Sequence, residues 1–189
     1  MKTYSKRDFP VAKIRRFLEP GPAVLVSSAW KGKKNIMTMN WHTVMEFTPA
    51  LVGCIIAADN VSFGMILRSR ECVLNLPTAD LVDKVVGIGN CSGDEVDKFK
   101  RFRLTAVRAT KVAAPLIREC FANFECRIAD ARLINTYNFF ILEVVKAHVA
   151  TAPKYPRTLH YCGEGIFQTS GRVVDKHEKF TKFKNDPNF

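Results

Sequence analysis

The sequence has no long hydrophobic run and no hydrophobic N-terminal stretch. None of its apolar segments approaches the roughly 18 residues that a membrane-spanning helix requires. The first residues, MKTYSKRDFPVAKIRRF, carry charges where a signal peptide has its apolar core. These two absences predict a cytoplasmic protein that does not enter a membrane.

The spacings of cysteine and histidine that mark metal sites and redox dithiols are also absent. The 6 cysteines include no CxxC pair, and the 4 histidines are far apart in the sequence, with none at zinc-finger spacing from a cysteine pair. We therefore interpret the cysteines as reduced and mostly buried, and we expect no bound metal.

Motifs of several common enzyme classes are missing as well. The sequence contains no GxSxG, no Walker sequence and no HExxH. Gly87, Gly89 and Gly93 have the spacing GxGxxxG and follow a predicted helix, whereas a dinucleotide-binding fingerprint requires GxGxxG after a strand. The sequence therefore argues against a doubly wound dinucleotide-binding fold.

Positive charge, by contrast, is abundant and unevenly distributed. The formal net charge is +11, and residues 1–34 hold nine lysines and arginines against two acidic residues. Residues 98–111 add six basic residues and no acid. This excess predicts attraction to anions, which include phosphate cofactors, nucleic acids and acidic proteins.

The hydrophobic pattern predicts many short strands and few helices. The predicted strands cover residues 23–30, 36–48, 51–57, 71–76, 106–110, 121–134 and 139–150, with a polar turn at 31–35 that joins the first two into a hairpin and a second turn at 135–138. The predicted helices cover residues 62–70, with Ser62 as the N-cap, and residues 78–86 and 94–101.

This order of elements lacks the regular βαβ alternation of a parallel sheet. It predicts a mainly β fold, a β-barrel with a few short helices on its edges, in one domain over residues 1–189. A basic N-terminal arm (1–19) precedes the domain core, and a polar tail (172–189) follows it.

One segment has the composition of a binding surface for a flat ring. From Asn35 to Thr43, small polar and large apolar side chains alternate directly after a basic turn. A flavin ring is an apolar plate with a polar edge, which backbone groups and an aromatic or thioether surface would bind. The pattern alone also fits, and rather favours, an ordinary strand with one wet face.

Five segments, taken in order, resemble the flavin reductase-like, FMN-binding split-barrel family, in its flavoredoxin-type branch, from residue 20 to about residue 170. They are GPAVLVSS, NIMTMNW followed by Phe47-Thr48-Pro49, SFGMI leading into CVLNLP, SGDEVDKF, and FILEVV. The resemblance implies an FMN-binding split barrel that forms a homodimer, in which the neighbouring subunit covers the flavin.

The resemblance also implies which residues hold FMN. The ring would lie along Asn35, Met37, Thr38, Met39, Asn40 and Trp41, with the backbone groups of residues 37–40 bonding its polar edge, and Phe167 would place an aromatic ring against it. Ser62, followed by Phe63, would donate to the phosphate at the helix start, Ser92 and Gly93 would form an anion nest, and Lys98 would neutralise negative charge. Without the resemblance, Lys98 reads as a solvated helix lysine.

No catalytic residue is assigned with certainty. Flavoredoxin-like relatives commonly have a histidine at the start of the strand that this chain begins as Tyr137-Asn138-Phe139-Phe140. Tyr137 therefore stands at the position of the family's histidine, and an imidazole that donates a proton or contacts the substrate cannot be assumed here.

The resemblance implies an enzyme, an oxidoreductase that reduces FMN with NADH or NADPH and passes electrons to a flavin, iron or protein acceptor. A first alternative is an FMN-binding electron carrier without activity toward NADH or NADPH. A second alternative is a nucleic-acid-binding β-barrel, suggested by the basic residues of 1–34, although no recognisable RNA motif interleaves them with aromatic residues.

Overall fold

Seven strands form one antiparallel sheet in the computed structural model of the chain, which describes residues 21–176. The strands in this part of the chain are β1 (Val24–Trp30), β2 (Lys33–Met39), β3 (His42–Glu46), β4 (Leu51–Ile55), β5 (Glu71–Leu76), β6 (Ala106–Val107), β7 (Leu116–Ile117), β8 (Ala122–Asp130), β9 (Phe139–Val149), β10 (Leu159–Tyr161) and β11 (Phe167–Thr169). The large sheet has the order β2-β1-β5-β8-β9-β4-β3, and β6–β7 and β10–β11 form two small antiparallel pairs.

Across the described residues 21–176, four short α-helices accompany the strands. They are α1 (Val61–Ser69), α2 (Val82–Gly89), α3 (Lys98–Arg101) and α4 (Ile134–Tyr137), and a 3₁₀ turn at Ala79–Leu81 precedes α2. Within residues 21–176, no helix has the length and apolar character needed to cross a bilayer.

One face of the large sheet closes around a single apolar core. Buried side chains that belong to six strands and to α1 and α4 meet there: Val24, Val26, Met37, Met39, Cys54, Ile66, Cys72, Leu74, Cys126, Ile134, Phe140 and Leu142. Strands so far apart in the sheet order can share one core only if the sheet curls into a barrel. The predicted mainly β barrel with a few short helices is therefore confirmed.

A second core covers the outer face of β1 and β2. Leu25 and Ile36 on these strands pack against Val85 and Ile88 of α2 and Phe99 of α3. Side chains of β2 thus alternate between the barrel interior and the helices. This arrangement places β2 between the two cores, with α2 and α3 packed on its outer face.

Several predicted boundaries are wrong in detail. Ser62 is not the N-cap of α1, because Asn60 occupies that position and its side chain accepts a hydrogen bond from the Ser62 N–H. The second helix runs on through Gly89 and ends at Asn90, since glycines near a helix C-terminus cost little. The third covers only Lys98–Arg101, where the Asp97 side chain accepts from the Lys100 N–H and caps it.

The chain after residue 104 also departs from the predicted pattern. The turn at 135–138 is a helical turn that ends at Asn138 in the left-handed region (φ 56°). The predicted strand at 106–110 is only two residues long, and the strands β7, β10 and β11 were not predicted. The basic arm (1–19) and residues 177–189 of the tail lie outside the described residues.

Candidate functional site

Two adjoining clefts follow β2 on the side of α2. The first, the lysine cleft, has a volume of about 430 Å³ and is lined by Asn35, Asp59, Asn60, Val61, Gly89, Asn90, Cys91, Ser92, Gly93, Glu95 and Lys98. The second, the aromatic cleft, has a volume of about 370 Å³ and is lined by Thr38, Asn40, Val85, Val86, Gly89, Asn90, Tyr161, Gly165 and Phe167. Gly89 and Asn90 line both clefts, so the two adjoin there, and we call them together the groove.

A buried ammonium group stands in the wall of the lysine cleft. Lys98 is 94% buried by its neighbours, with a relative exposure of only 6%, and its Nζ donates to the Ile88 carbonyl at 2.9 Å. Burial lowers the pKa of Lys98, and the nearby Cys91 offsets part of that effect. An ammonium has three donors, and this one has no acidic partner within 4.0 Å among residues 21–176. It is therefore suited to bind an anion.

Asn35 forms the opposite wall of the lysine cleft and is fixed by a buried polar cluster. Its Nδ2 donates to the Ser62 hydroxyl at 3.0 Å, and the Ser28 hydroxyl lies 3.3 Å from the same oxygen. A Cβ atom added to Gly93 would lie 2.2 Å from Asn35 Oδ1. The loop after α2 therefore packs on Asn35 so closely that only glycine fits at position 93.

Asn40, which lines the aromatic cleft, has a buried polar atom without a partner among the described residues. Asn40 Oδ1 is buried and accepts no hydrogen bond from any residue of the described chain. Leaving a buried acceptor unpaired costs free energy, about 1–3 kcal/mol, unless a ligand supplies a donor. On the neighbouring face of β2, the Thr38 hydroxyl donates to the Val85 carbonyl at 2.7 Å and ties the strand to α2.

A pair of aromatic rings from the β10–β11 hairpin closes the same cleft. Tyr161 and Phe167 face each other across the hairpin with ring centroids 5.0 Å apart and planes tilted by 51°. The Tyr161 hydroxyl also accepts from the Gly165 N–H at 3.3 Å. The hairpin thus offers an apolar surface opposite the polar atoms of β2.

Seven of the predicted site residues line this groove, namely Asn35, Thr38, Asn40, Ser92, Gly93, Lys98 and Phe167. The structure places the others elsewhere. The side chains of Met37 and Met39 lie in the barrel core, and Phe63 packs edge-on against Phe140 at 5.2 Å. Ser62 is fully buried behind Asn35, and Trp41 is exposed beyond the end of β2.

Tyr137, at the position of the family's histidine, is 65% exposed in α4 and lines neither cleft. The sequence analysis missed six lining residues that have polar or reactive side chains: Asp59, Asn60, Asn90, Cys91, Glu95 and Tyr161. Asn90 and Cys91 directly follow Gly89, one of the glycines whose spacing does not match a dinucleotide fingerprint. The end of the helix at these glycines is the sequence feature that could have indicated these two lining residues.

The cysteines do not form a metal site in the described part of the chain. No group of three or more histidine, cysteine or acidic side chains within residues 21–176 is arranged to hold a metal ion. All six cysteines are free thiols. Burial raises the pKa of Cys54 well above its ordinary value and that of Cys120 to about 12, so both thiols stay protonated and unreactive.

The groove fits a ligand with an anionic end and a flat ring that has a polar edge. The buried cation of Lys98 would meet the anion, while the unpaired Asn40 oxygen and the two aromatic rings would meet the ring. FMN has these properties, with its phosphate at one end and its isoalloxazine at the other.

Comparisons with known proteins identify relatives of this chain. The family model for the flavin reductase like domain matches residues 15–170. The chain is 31% identical over 135 residues to a protein of Archaeoglobus fulgidus, which covers 71% of this chain and 76% of that protein. It is 29% identical to the protein YddH of Escherichia coli, over 84% of this chain and 92% of that protein.

Solved structures share the fold. An FMN-binding domain of a flavin reductases-like enzyme from Shewanella baltica superposes with a TM-score of 0.75 at 25% identity, over 89% of this chain and 95% of that one. The flavoredoxin of Desulfovibrio vulgaris gives a TM-score of 0.76 at 19% identity, over 93% and 96% of the two chains. That second similarity concerns the fold alone.

Proposed function

The chain belongs to the flavin reductase-like domain family, and from this premise we propose that it is an FMN-dependent oxidoreductase. In this proposal it binds FMN, takes electrons from NADH or NADPH, and passes them to a flavin, iron or protein acceptor. The observation that carries the proposal is the groove along β2. The buried ammonium of Lys98 lies at its lysine cleft, and Asn40, with its unpaired buried oxygen, lines its aromatic cleft.

Lys98 would hold the phosphate of FMN. Its ammonium is already oriented by the Ile88 carbonyl, so little side-chain entropy is lost when an anion binds. The backbone of Ser92 and Gly93 lies along the same cleft, where peptide N–H groups can add hydrogen bonds to phosphate oxygens. Asp59 and Glu95 stand at the same cleft and would favour a ligand pose that keeps its phosphate close to Lys98.

Asn40 and the β10–β11 hairpin would hold the ring. The unpaired Asn40 oxygen would accept a hydrogen bond from an N–H or hydroxyl of the ligand, and Phe167 would pack on the apolar part of the ring system. Ser62 would act indirectly, because it fixes Asn35 from behind instead of facing the cleft.

When bound, FMN supplies the redox chemistry, since it accepts a hydride from a nicotinamide and releases electrons to an acceptor. The chain's own contribution is to orient the cofactor and to leave one side of the groove accessible to the nicotinamide. No side chain of the aromatic cleft is needed as an acid or base for hydride transfer, and Tyr137 lies outside both clefts.

The experiment combines an absorption spectrum with an anaerobic titration. The purified protein should show the two visible flavin bands, and NADH or NADPH should bleach them in proportion to the reductant added. A yellow protein that only dithionite bleaches would contradict the reductase and favour an electron carrier. A protein that neither retains FMN nor quenches its fluorescence would contradict the whole proposal.

We further propose that the protein is a homodimer in the cytoplasm. Large apolar side chains are exposed around the edge strand β3, namely Trp41, Val44, Met45, Phe47 and Ile55, and such a group is typical of an interaction surface. Six free thiols are compatible with a reducing compartment.

A further inference from the structure

A third cleft lies at the tip of the β1–β2 hairpin, and we call it the hairpin cleft. Its volume is about 510 Å³, and it is lined by Ala29, Trp30, Lys31, Gly32, Lys33, Lys34, Ser69, Glu71, Ala113 and Pro115. It shares no lining residue with the lysine cleft or the aromatic cleft. The role proposed above for FMN therefore leaves it unused.

The cleft exists because the hairpin extends beyond its neighbouring strand. β1 pairs with β2 as far as Trp30, but it pairs with β5 only from Leu25 to Ser27. The last residues of β1 therefore separate from the start of β5, and the segment around Pro115 covers the gap from one side. The resulting space has a strand on one wall and the α1–β5 junction on the other.

The turn itself is tight and holds its lysines in place. Trp30 pairs with Lys33 across a two-residue turn, and the turn residues Lys31 (φ 48°) and Gly32 (φ 76°) are both in the left-handed region. This is the geometry of a hairpin turn whose twist matches that of its strands. Lys31 and Lys33 therefore lie on a backbone of fixed conformation, which favours a binding role for them.

The cleft has an excess of positive charge. Lys31 and Lys33 form no ion pair within residues 21–176, while the Lys34 ammonium lies 4.8 Å from the centroid of the Phe99 ring, toward α3. Glu71 is the one acid in the lining, and its carboxylate already accepts from the Ala113 N–H at 2.8 Å and pairs with Arg127 at 3.5 Å. Two cations thus remain for an external anion.

An aromatic surface stands beside these cations. Trp30 is 36% exposed, and the Lys31 ammonium lies 6.0 Å from the centroid of its ring. Ala29, Ala113 and Pro115 are small side chains that leave room next to the indole. A site for a bare anion needs no such ring, and a site for an apolar molecule does not need the lysines.

We infer that the hairpin cleft binds a free nucleotide, with its base packed on Trp30 and its phosphates held by Lys31 and Lys33. Indole rings stack on nucleobases and ammonium groups bind phosphates as point charges. The volume lies within the range of small-molecule sites, about 300–1,000 Å³. This inference stands on its own residues and does not depend on the proposed FMN site.

The test is calorimetric titration of the full chain, saturated with FMN, with ADP. We expect one ADP per chain, and binding at least about tenfold weaker for adenosine and for pyrophosphate, because each lacks one half of the recognised chemistry. Lys31→Gln with Lys33→Gln should weaken ADP binding about tenfold or more. The matched control is Lys154→Gln with Lys176→Gln, which changes the net charge equally at residues outside the cleft.

A Trp30→Ala variant tests the base contact, and it should reduce the preference for ADP over pyrophosphate. The far-UV circular dichroism spectrum of each variant shows whether the fold is intact. The visible flavin bands report separately on FMN, which distinguishes failure here from failure of the proposed function. Absence of ADP binding, or equal loss in the control pair, would overturn the inference. Much tighter binding of a single-stranded oligonucleotide than of ADP, with a steep salt dependence, would overturn it in favour of nucleic acid.

Discussion

At the scale of single residues, the groove depends on a few side chains whose environments are unusual. Lys98 is a lysine on a four-residue helix, yet it is buried and its ammonium is directed to a backbone carbonyl. Asn40 is an asparagine at a strand end with a buried oxygen that nothing in residues 21–176 satisfies. Each of these arrangements costs stability in the free protein. A ligand with an anionic end and a ring that has a polar edge would offset both costs.

Lys98→Gln should weaken FMN binding by about 1.5–3 kcal/mol, because the charge-assisted hydrogen bond to the phosphate is lost. The measurement is the quenching of FMN fluorescence on titration into the apoprotein. Lys100→Gln is the matched control, since Lys100 belongs to the same helix but is exposed and lines neither cleft. If both variants lost the same affinity for FMN, binding would depend on the overall positive charge and not on the position of Lys98.

Gly93→Ala should loosen FMN and destabilise the loop by about 1–3 kcal/mol, since the added Cβ would lie 2.2 Å from Asn35 Oδ1 and 2.5 Å from its Cγ. Thermal unfolding and the FMN titration both report the effect. Gly171→Ala is the control, because a Cβ at that position has no atom within 4 Å. If Gly93→Ala behaved like Gly171→Ala, the close packing of the loop on Asn35 would be refuted.

At the scale of secondary-structure elements, carboxylates of the sheet hold the long connection between β6 and β7. Glu125 of β8 is fully buried and accepts hydrogen bonds from the Thr110 N–H and hydroxyl, from the N–H groups of Lys111 and Val112, and from His148 Nε2 at 2.7 Å. Glu71 of β5 accepts from the Ala113 N–H of the same connection. This segment is thus fixed by side chains and not by strand pairing.

Glu125→Gln should lower the free energy of unfolding by about 3 kcal/mol near neutral pH, because amide donors would then face backbone N–H donors. Burial raises the pKa of Glu125, but the hydrogen bonds from His148, Thr110 and Lys111 outweigh burial and bring it from 4.5 to about 2. Its stabilising effect is therefore complete above pH 4.5 and is lost as the pH falls toward 2.

Urea unfolding of the wild-type protein and of Glu125→Gln at a series of pH values checks this prediction. The difference in midpoint should be largest at neutral pH and shrink below pH 4.5. The exposed Glu46→Gln serves as the control, with little change in midpoint at any pH. A gap that stayed constant down to pH 2 would show that Glu125 does not stabilise the fold through its charge.

The elements with strong local patterns were predictable from the sequence. The strand predicted at 71–76 is Glu71–Leu76, and the strands at 23–30 and 139–150 are correct to within one residue at either end. These segments are rich in β-branched and apolar residues, and turn residues bound them. Short elements such as β7, β10 and α4 were missed or misassigned because tertiary contacts, and not local preference, stabilise them.

The site was predictable in part, and the limit lay in side-chain direction. Lys98 reads as a solvated helix lysine from pattern alone, because nothing local indicates that the chain before it folds back to bury it. The side chains of Met37 and Met39 point into the barrel because side chains alternate along β2, so only their backbone groups could take the predicted role at the ring edge. Tyr161 was overlooked because its strand of three residues carries no periodic signal.

At the scale of the whole molecule, the chain leaves one edge of its sheet uncovered within the described residues. β3 is an edge strand, and the apolar side chains of Val44 and Met45 on it are exposed, with Trp41 and Phe47 on either side. Exposed apolar edge strands favour association with another chain. A second copy of this chain, placed across β3, would bury these side chains and, in our proposal, cover part of the FMN groove near Trp41.

Val44→Glu should therefore convert the proposed dimer into a monomer without unfolding it. Val44 is 69% exposed and contributes nothing to either core, so the substitution leaves the barrel intact, while a buried carboxylate at the interface would cost several kcal/mol. Light scattering after gel filtration should give twice the chain mass of 21.3 kDa for the wild type and the single chain mass for the variant.

Val174→Glu is the control, since Val174 is 66% exposed in the C-terminal segment and outside β3, and it should remain dimeric. A dimeric Val44→Glu would move the interface away from β3, and a monomeric wild type would remove the dimer from the proposal. If the partner also covers the flavin, FMN should dissociate more readily from the monomeric variant than from the control, because one side of its ring would then face water.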